Sequence, residues 1–306
     1  MRGTFIKTLV ELAGEDERIV LLTADLGFTV LEQFGNRYPD RYYNVGVAEQ
    51  NMVGISTGLA EAGYIPFLYS IGTFASLRGY EFLRNGPILH GLPVRVIGVG
   101  GGLEYSTAGA THHSIDDVGV MRVQPGIRVI APADYEQSGA ALRATWNLPG
   151  PIYYRIGKNE KVTVPGLDGR FDLNAPTHIG SGRDLLFVAS GGVTSEVAAA
   201  AEQLRAEGID NTIAVVASLN PTPNLADTLD GFTHVISVED HYINGGIGSL
   251  VAEVIAENGL ACRLTRCGIS TRPDGITGSL KAMRERYGLS ADKLVATTRA
   301  LLLHAG

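Results

Sequence analysis

Three groups of residues have the types and spacing that chemistry requires. The first is Glu49, in N-V-G-V-A-E-Q-N (44–51), where small and apolar residues give way to a helical pattern running from Met52. A carboxylate in the exposed first turn of a helix gains ~0.3–1 kcal/mol from the helix dipole. With Gly46, Val47 and Ala48 before it offering no hydration, Glu49 can instead sit dry, where a carboxyl group shares a proton with a ring nitrogen. The second group is Thr111, His112, His113 and Asp116, in a loop that opens on glycines 98, 100, 101 and 102. Such glycines either bring backbone N–H groups to a phosphate or make a tight turn. The spacing G-x-G-x-x-G at a helix opening does not occur there, and the chain has no P-loop. Adjacent histidines point apart and no suitably spaced ligand set accompanies them, which disfavours a metal. The third group is Phe74, Arg78 and Tyr80 in T-F-A-S-L-R-G-Y. Arg78 follows Phe74 by one helical turn and shares its face. Phe74 reads as core or as a platform for a flat ligand, and Arg78 as a surface ion pair or a ligand contact.

The elements that must position these residues alternate between strand-like and helix-like segments. Apolar runs at 18–26, 64–70, 93–99, 126–132 and 151–157 read as strands, and the first has the continuous apolar character of a parallel strand buried on both faces. Helices are expected at the N-terminus, from Met52, over 73–90 and near 135–146. Residues 158–182 lose the periodicity and are rich in Gly, Pro and Asp. Beyond them the alternation restarts through D-L-L-F-V-A-S, N-T-I-A-V-V-A-S, T-H-V-I-S-V-E-D and A-C-R-L-T-R-C, and two helices follow. The expected fold class is α/β, with two domains that each have a mostly parallel sheet flanked by helices. The first domain spans 1–163, a linker 164–182 and the second domain 183–306.

Length and composition narrow the function classes. The 306 residues are 45% hydrophobic and 19% charged, enough for two buried cores. A net charge of -7 argues against nucleic acid as a main partner. Cys262 and Cys267 have no histidine placed to complete a zinc site and read as ordinary thiols. Ile6, Leu9, Val10 and Ala13 fall at i, i+3, i+4 and i+7, so the first residues form an amphipathic helix rather than a signal peptide. No stretch approaches the ~20 apolar residues of a membrane span. The expectation is a cytoplasmic protein with no membrane contact.

Taken together, the motifs resemble those of a known family. N-V-G-V-A-E-Q-N-M-V-G-I-S-T-G-L-A-E-A-G-Y-I-P-F is similar to the pyrimidine-binding domain of thiamine diphosphate enzymes of the transketolase group. T-F-A-S-L-R-G-Y-E-F-L-R-N, G-A-T-H-H-S-I-D-D and R-V-I-A-P-A-D-Y-E-Q follow in the family's order. A-S-L-N-P-T-P-N and V-I-S-V-E-D-H-Y-I-N-G-G-I-G-S resemble its C-terminal domain. The G-D-G…N motif, which holds the cofactor's diphosphate through Mg²⁺, does not occur in this sequence. The resemblance is therefore to the C-terminal subunit of a split transketolase. It implies an N-terminal partner subunit carrying G-D-G…N, which holds the diphosphate and Mg²⁺, and an α2β2 assembly with the site at the subunit interface.

For the residues, the resemblance implies that Glu49 hydrogen-bonds the ring nitrogen of the aminopyrimidine and favours the tautomer that deprotonates the thiazolium carbon. Phe74 would stack on the pyrimidine, with Ile71 where a second aromatic is usual, and Arg78 would join the cofactor site. His112 would contact substrate hydroxyls or an oxyanion, with Ala108 in place of an acceptor-binding aspartate. Arg155 would bind a sugar phosphate, and Thr29, after Ala24-Asp25-Leu26, would take the place of a phosphate-binding serine. The implied reaction transfers a two-carbon ketol unit from a ketose or ketose phosphate to an aldehyde. The alternatives are the beta subunit of a 2-oxo acid dehydrogenase first component, a deoxyxylulose phosphate synthase-like enzyme and a non-catalytic partner-binding subunit.

Overall fold

The computed structural model describes residues 1–160 and 162–303. In the first half, parallel strands alternate with helices: α1 (Arg2–Glu15), β1 (Ile19–Thr23), α2 (Glu32–Arg37), β2 (Tyr42–Asn44), α3 (Glu49–Glu61) and β3 (Ile65–Ile71). Then come α4 (Gly72–Leu77), α5 (Tyr80–Leu83), β4 (Arg95–Val99), α6 (Asp117–Arg122), β5 (Arg128–Ile130), α7 (Tyr135–Thr145) and β6 (Ile152–Ile156). β1 shows why the sheet is central. Ile19 and Leu21 point into a core with Phe5 and Leu9 of α1 and Leu142 of α7. Val20 and Leu22 point to the opposite face, against Met52 and Val53 of α3.

The second half contributes β7 (Thr177–Ile179), β8 (Leu185–Ala189), α8 (Thr194–Ala206), β9 (Asn211–Val215), β10 (Ser218–Asn220) and α9 (Ala226–Leu229). β11 (His234–Tyr242), α10 (Ile247–Asn258), β12 (Arg263–Ile269), α11 (Leu280–Arg286) and α12 (Ala291–Leu303) complete it. Its sheet runs β12-β11-β8-β9-β7, parallel except for β7 on β9. The first sheet runs β10-β5-β6-β4-β3-β1-β2. Its outermost strand, β10, comes from the second half and pairs antiparallel with β5.

Three expectations are corrected. The segment 164–182 is not wholly linker, because β7 lies inside it; three residues between Pro176 and Gly180 are too few to show a period. The helix expected over 73–90 is broken into α4, α5 and a π turn at Arg84–Ile88 that contains Pro87. Gly79, between α4 and α5, lies so close to α3 that a Cβ there would sit 2.8 Å from Val53 Cγ2, and Pro87 has no N–H to give a regular ladder. Finally, β10 belongs to the first sheet. No helix among the described residues is long and apolar enough to cross a membrane.

Candidate active site

The carboxyl ends of β1, β2, β3, β4 and β6 gather the loops that carry the candidate residues, as is usual for ligand sites in open α/β sheets. Glu49 is the first residue of α3, yet it does not cap its own helix: Ala48 holds the N-cap position without a side-chain bond. The carboxylate is turned inward and is 2% exposed. Its Oε1 accepts from Ser70 Oγ at 2.9 Å, and its Oε2 accepts from Arg78 Nη1 at 2.8 Å. Ser70 is the penultimate residue of β3, and Arg78 closes α4.

From Arg78 a run of contacts leads outward. Its guanidinium carbon lies 3.9 Å over the centre of the Phe74 ring, a cation–π contact. Phe74 meets His112 edge to face, with ring centres 5.2 Å apart at 68°. Thr111 Oγ1 lies 2.9 Å from His112 Nδ1, and the Tyr105 ring is 6.2 Å beyond His112. Over Tyr105 stands Lys158 Nζ, 4.6 Å from the ring centre. Glu49, Arg78, Phe74 and His112 thus form one cluster, and Ser70, Tyr105 and Lys158 join it without having been singled out in the sequence. Ser70 could have been noticed as a hydroxyl ending an apolar strand, and Lys158 as the cation just past R-I-G. Nothing in the local sequence marks Tyr105.

The other expected residues are placed differently. Arg155 is 5% exposed. Nε donates to Asp117 (3.0 Å to Oδ2), Nη1 to Asp240 Oδ1 (3.2 Å), and Nη2 to the carbonyls of Ser114 (3.0 Å) and Asp240 (3.1 Å). Each of its three nitrogens is engaged within the protein, which sets this arginine inward, among carboxylates and carbonyls. Thr29 is exposed, and its amide donates to Glu32 Oε1 at 2.8 Å. Its loop is nevertheless tied to the approach to Glu49. Asn44 Nδ2 donates to Asp25 Oδ1 (2.8 Å), and Asn44 Oδ1 accepts from the amides of Asp25 and Gly46. Asp25 and Thr29 are held at φ 55° and 69°, a strained conformation for residues with a side chain that tends to persist at functional sites.

Burial pushes the Tyr105 hydroxyl up, and burial followed by the neighbouring Asp117 charge pushes the Asp116 carboxyl up. Cys262 and Cys267 are both free, as the reading of ordinary thiols expects, and burial raises the Cys267 thiol to about 11. Among the described residues no group of three or more His, Cys, Asp or Glu side chains could hold a metal ion.

Residues 1–161 match the model of the transketolase pyrimidine-binding domain, and residues 177–294 that of the transketolase C-terminal domain. The chain is 35% identical to a putative transketolase C-terminal section of Methanocaldococcus jannaschii over 96% of this chain and 93% of that one. It is also 35% identical to one of the subunits of an apulose-4-phosphate transketolase of Actinobacillus succinogenes, over 90% of each. Among solved structures, a split-gene transketolase described as an inactive beta4 tetramer superposes with a TM-score of 0.86 at 33% identity, covering 98% of this chain and 96% of the other.

Proposed function

The chain belongs to the transketolase family, and on that basis we propose that it is the pyrimidine-binding subunit of a split, thiamine diphosphate-dependent transketolase. With a partner chain it moves a two-carbon ketol unit from a ketose phosphate to an aldehyde. The partner carries G-D-G…N, holds the diphosphate and Mg²⁺, and pairs with this chain as α2β2. A cytoplasmic location belongs to the same reading.

The observation that carries the proposal is the inward Glu49 carboxylate, dry and oriented, beside the Phe74 ring. The residues present suit a flat aminopyrimidine: a buried carboxylate for a ring nitrogen and an aromatic face for stacking. When bound, the cofactor supplies an electron sink beside the substrate carbonyl. The chain's own side chains do the rest. Ser70 fixes the carboxylate through Oε1, so that the proton shared at Oε2 has one direction. Arg78, with its side chain 44% exposed, is the exchangeable partner at Oε2. His112, engaged at Nδ1 by Thr111, presents Nε2 to a substrate hydroxyl or developing oxyanion.

The test is co-expression with a chain bearing G-D-G…N, followed by assay with xylulose 5-phosphate and a range of aldehydes. Transfer should require both thiamine diphosphate and Mg²⁺. Glu49→Gln should reduce it on the order of 10²-fold or more, with the assembled complex unchanged by size-exclusion chromatography. Absence of turnover with every ketose donor tried would refute the reading, and full activity of the variant would favour a non-catalytic subunit.

A further inference from the structure

We propose that Arg155 is a positioning residue that sets the loop bearing His112 and couples it to the second domain; the role of His112 itself rests on the reading above. The loop is closed at its base by two backbone bonds, Gly102 N to Ser114 O (2.7 Å) and Ser114 N to Gly102 O (2.9 Å). Arg155 Nη2 donates to that same Ser114 carbonyl, two residues from His112. The rest of the guanidinium is clamped between Asp117, which begins α6 just after the loop, and Asp240 on β11.

The second domain reaches the loop base at other points as well. Tyr242 N donates to Ile115 O at 2.7 Å, and Gly119 N donates to His241 Nε2 at 3.2 Å. Asp240 is shared with Arg284 of α11, so the charges alternate and are all buried. The glycine run before the loop fits the same purpose. A Cβ on Gly101 would lie 2.8 Å from Arg155 Cγ, and one on Gly102, at φ +70°, would lie 2.3 Å from Asp240 Cγ. These glycines let the backbone pass against the Arg155–Asp240 pair; among the described contacts, this is the close approach that their lack of a side chain serves. The E-D-H stretch of the second domain thereby acts on His112 without touching it.

Hydrogen–deuterium exchange on the free chain tests the positioning directly. Arg155→Lys keeps the charge but cannot span Asp117, Asp240 and Ser114 O together. It should speed exchange several-fold in 101–116 and leave 65–78, which bears Ser70, Phe74 and Arg78, unchanged. Unchanged exchange in 101–116, or an equal rise in both segments, overturns the proposal. Should that variant fail to fold, Asp240→Asn carries the same expectation and the same refutation. Activity with the partner chain supplies a second arm. Arg155→Lys should lower kcat/KM about tenfold or more, but less than twofold in a His112→Ala background, because a residue acting through His112 has nothing left to position. Equal losses in both backgrounds overturn the proposal. An inactive wild-type pair would count against the transketolase reading alone, since the exchange arm needs neither partner nor cofactor.

Discussion

At the scale of single residues, the site is decided by which charges are spent inside the protein and which face outward. Arg155 and Lys158 lie three residues apart at the end of β6, and both are cations. Arg155 is buried among carboxylates and carbonyls, whereas Lys158 is exposed and stands over Tyr105 at the outer end of the contacts from Glu49. Of the two, Lys158 is available to the phosphate of a ketose donor. Lys158→Met should therefore raise KM for a phosphorylated donor roughly tenfold, the worth of one charge-assisted hydrogen bond. kcat, and KM for an unphosphorylated ketose, should stay within about twofold. Steady-state kinetics with xylulose 5-phosphate and with xylulose distinguish these results; equal effects on both donors would remove Lys158 from phosphate recognition.

At the scale of elements, the strands and long helices could be read from periodicity, but the breaks that shape the site could not. α4 and α5 share one helical pattern in sequence, yet the turn at Gly79 lets α3 approach closely and brings Arg78 to Glu49. A period counts apolar positions; it does not sense a neighbouring helix. The start of α7 shows the opposite case, because A-P-A-D-Y-E-Q carries its own stop and start signals. Asp134 is the N-cap, with Oδ1 accepting from Gln137 N at 2.8 Å, and its Oδ2 also accepts from Val164 N at 3.1 Å. This 3% exposed carboxylate therefore caps a helix and pins the segment that leads to the second domain. Asp134→Ala should cost about 2 kcal/mol, from the lost cap together with an orphaned buried amide. Urea denaturation measures it. A loss below about 0.5 kcal/mol would mean that water replaces both bonds.

At the scale of the whole molecule, the two domains are less separate than a linker of 164–182 suggests. β10 leaves the second half to extend the first sheet, with Ala131 N bonded to Ala217 O at 2.7 Å. Leu186, Val188, Ala214 and Val216 of the second half share one apolar cluster with Val20, Leu22, Leu68 and Val96 of the first. The buried Arg155–Asp240–Arg284 network crosses the same boundary. Domains joined by a strand, a core and a charge network unfold together. Calorimetry should show a single transition, and a fragment ending at residue 163 should not fold, because the β5 edge would lose its partner. Two resolved transitions would show that the halves are independent.

Consecutive residues were enough to establish the α/β class, most of the strands and the family motifs that carry Glu49, Phe74, Arg78 and His112. Those features are local: a burial period, a capping signal or a motif is written in neighbouring positions. The packing of distant segments was needed to gather Glu49, Arg78, Phe74 and His112 into one cluster, to turn Arg155 inward, to bring Ser70, Tyr105 and Lys158 to that cluster, and to complete the first sheet with β10. Each of those depends on how segments separated in sequence pack together. A side chain's charge is fixed by its type, but the direction in which it is spent is set by what the fold packs against it.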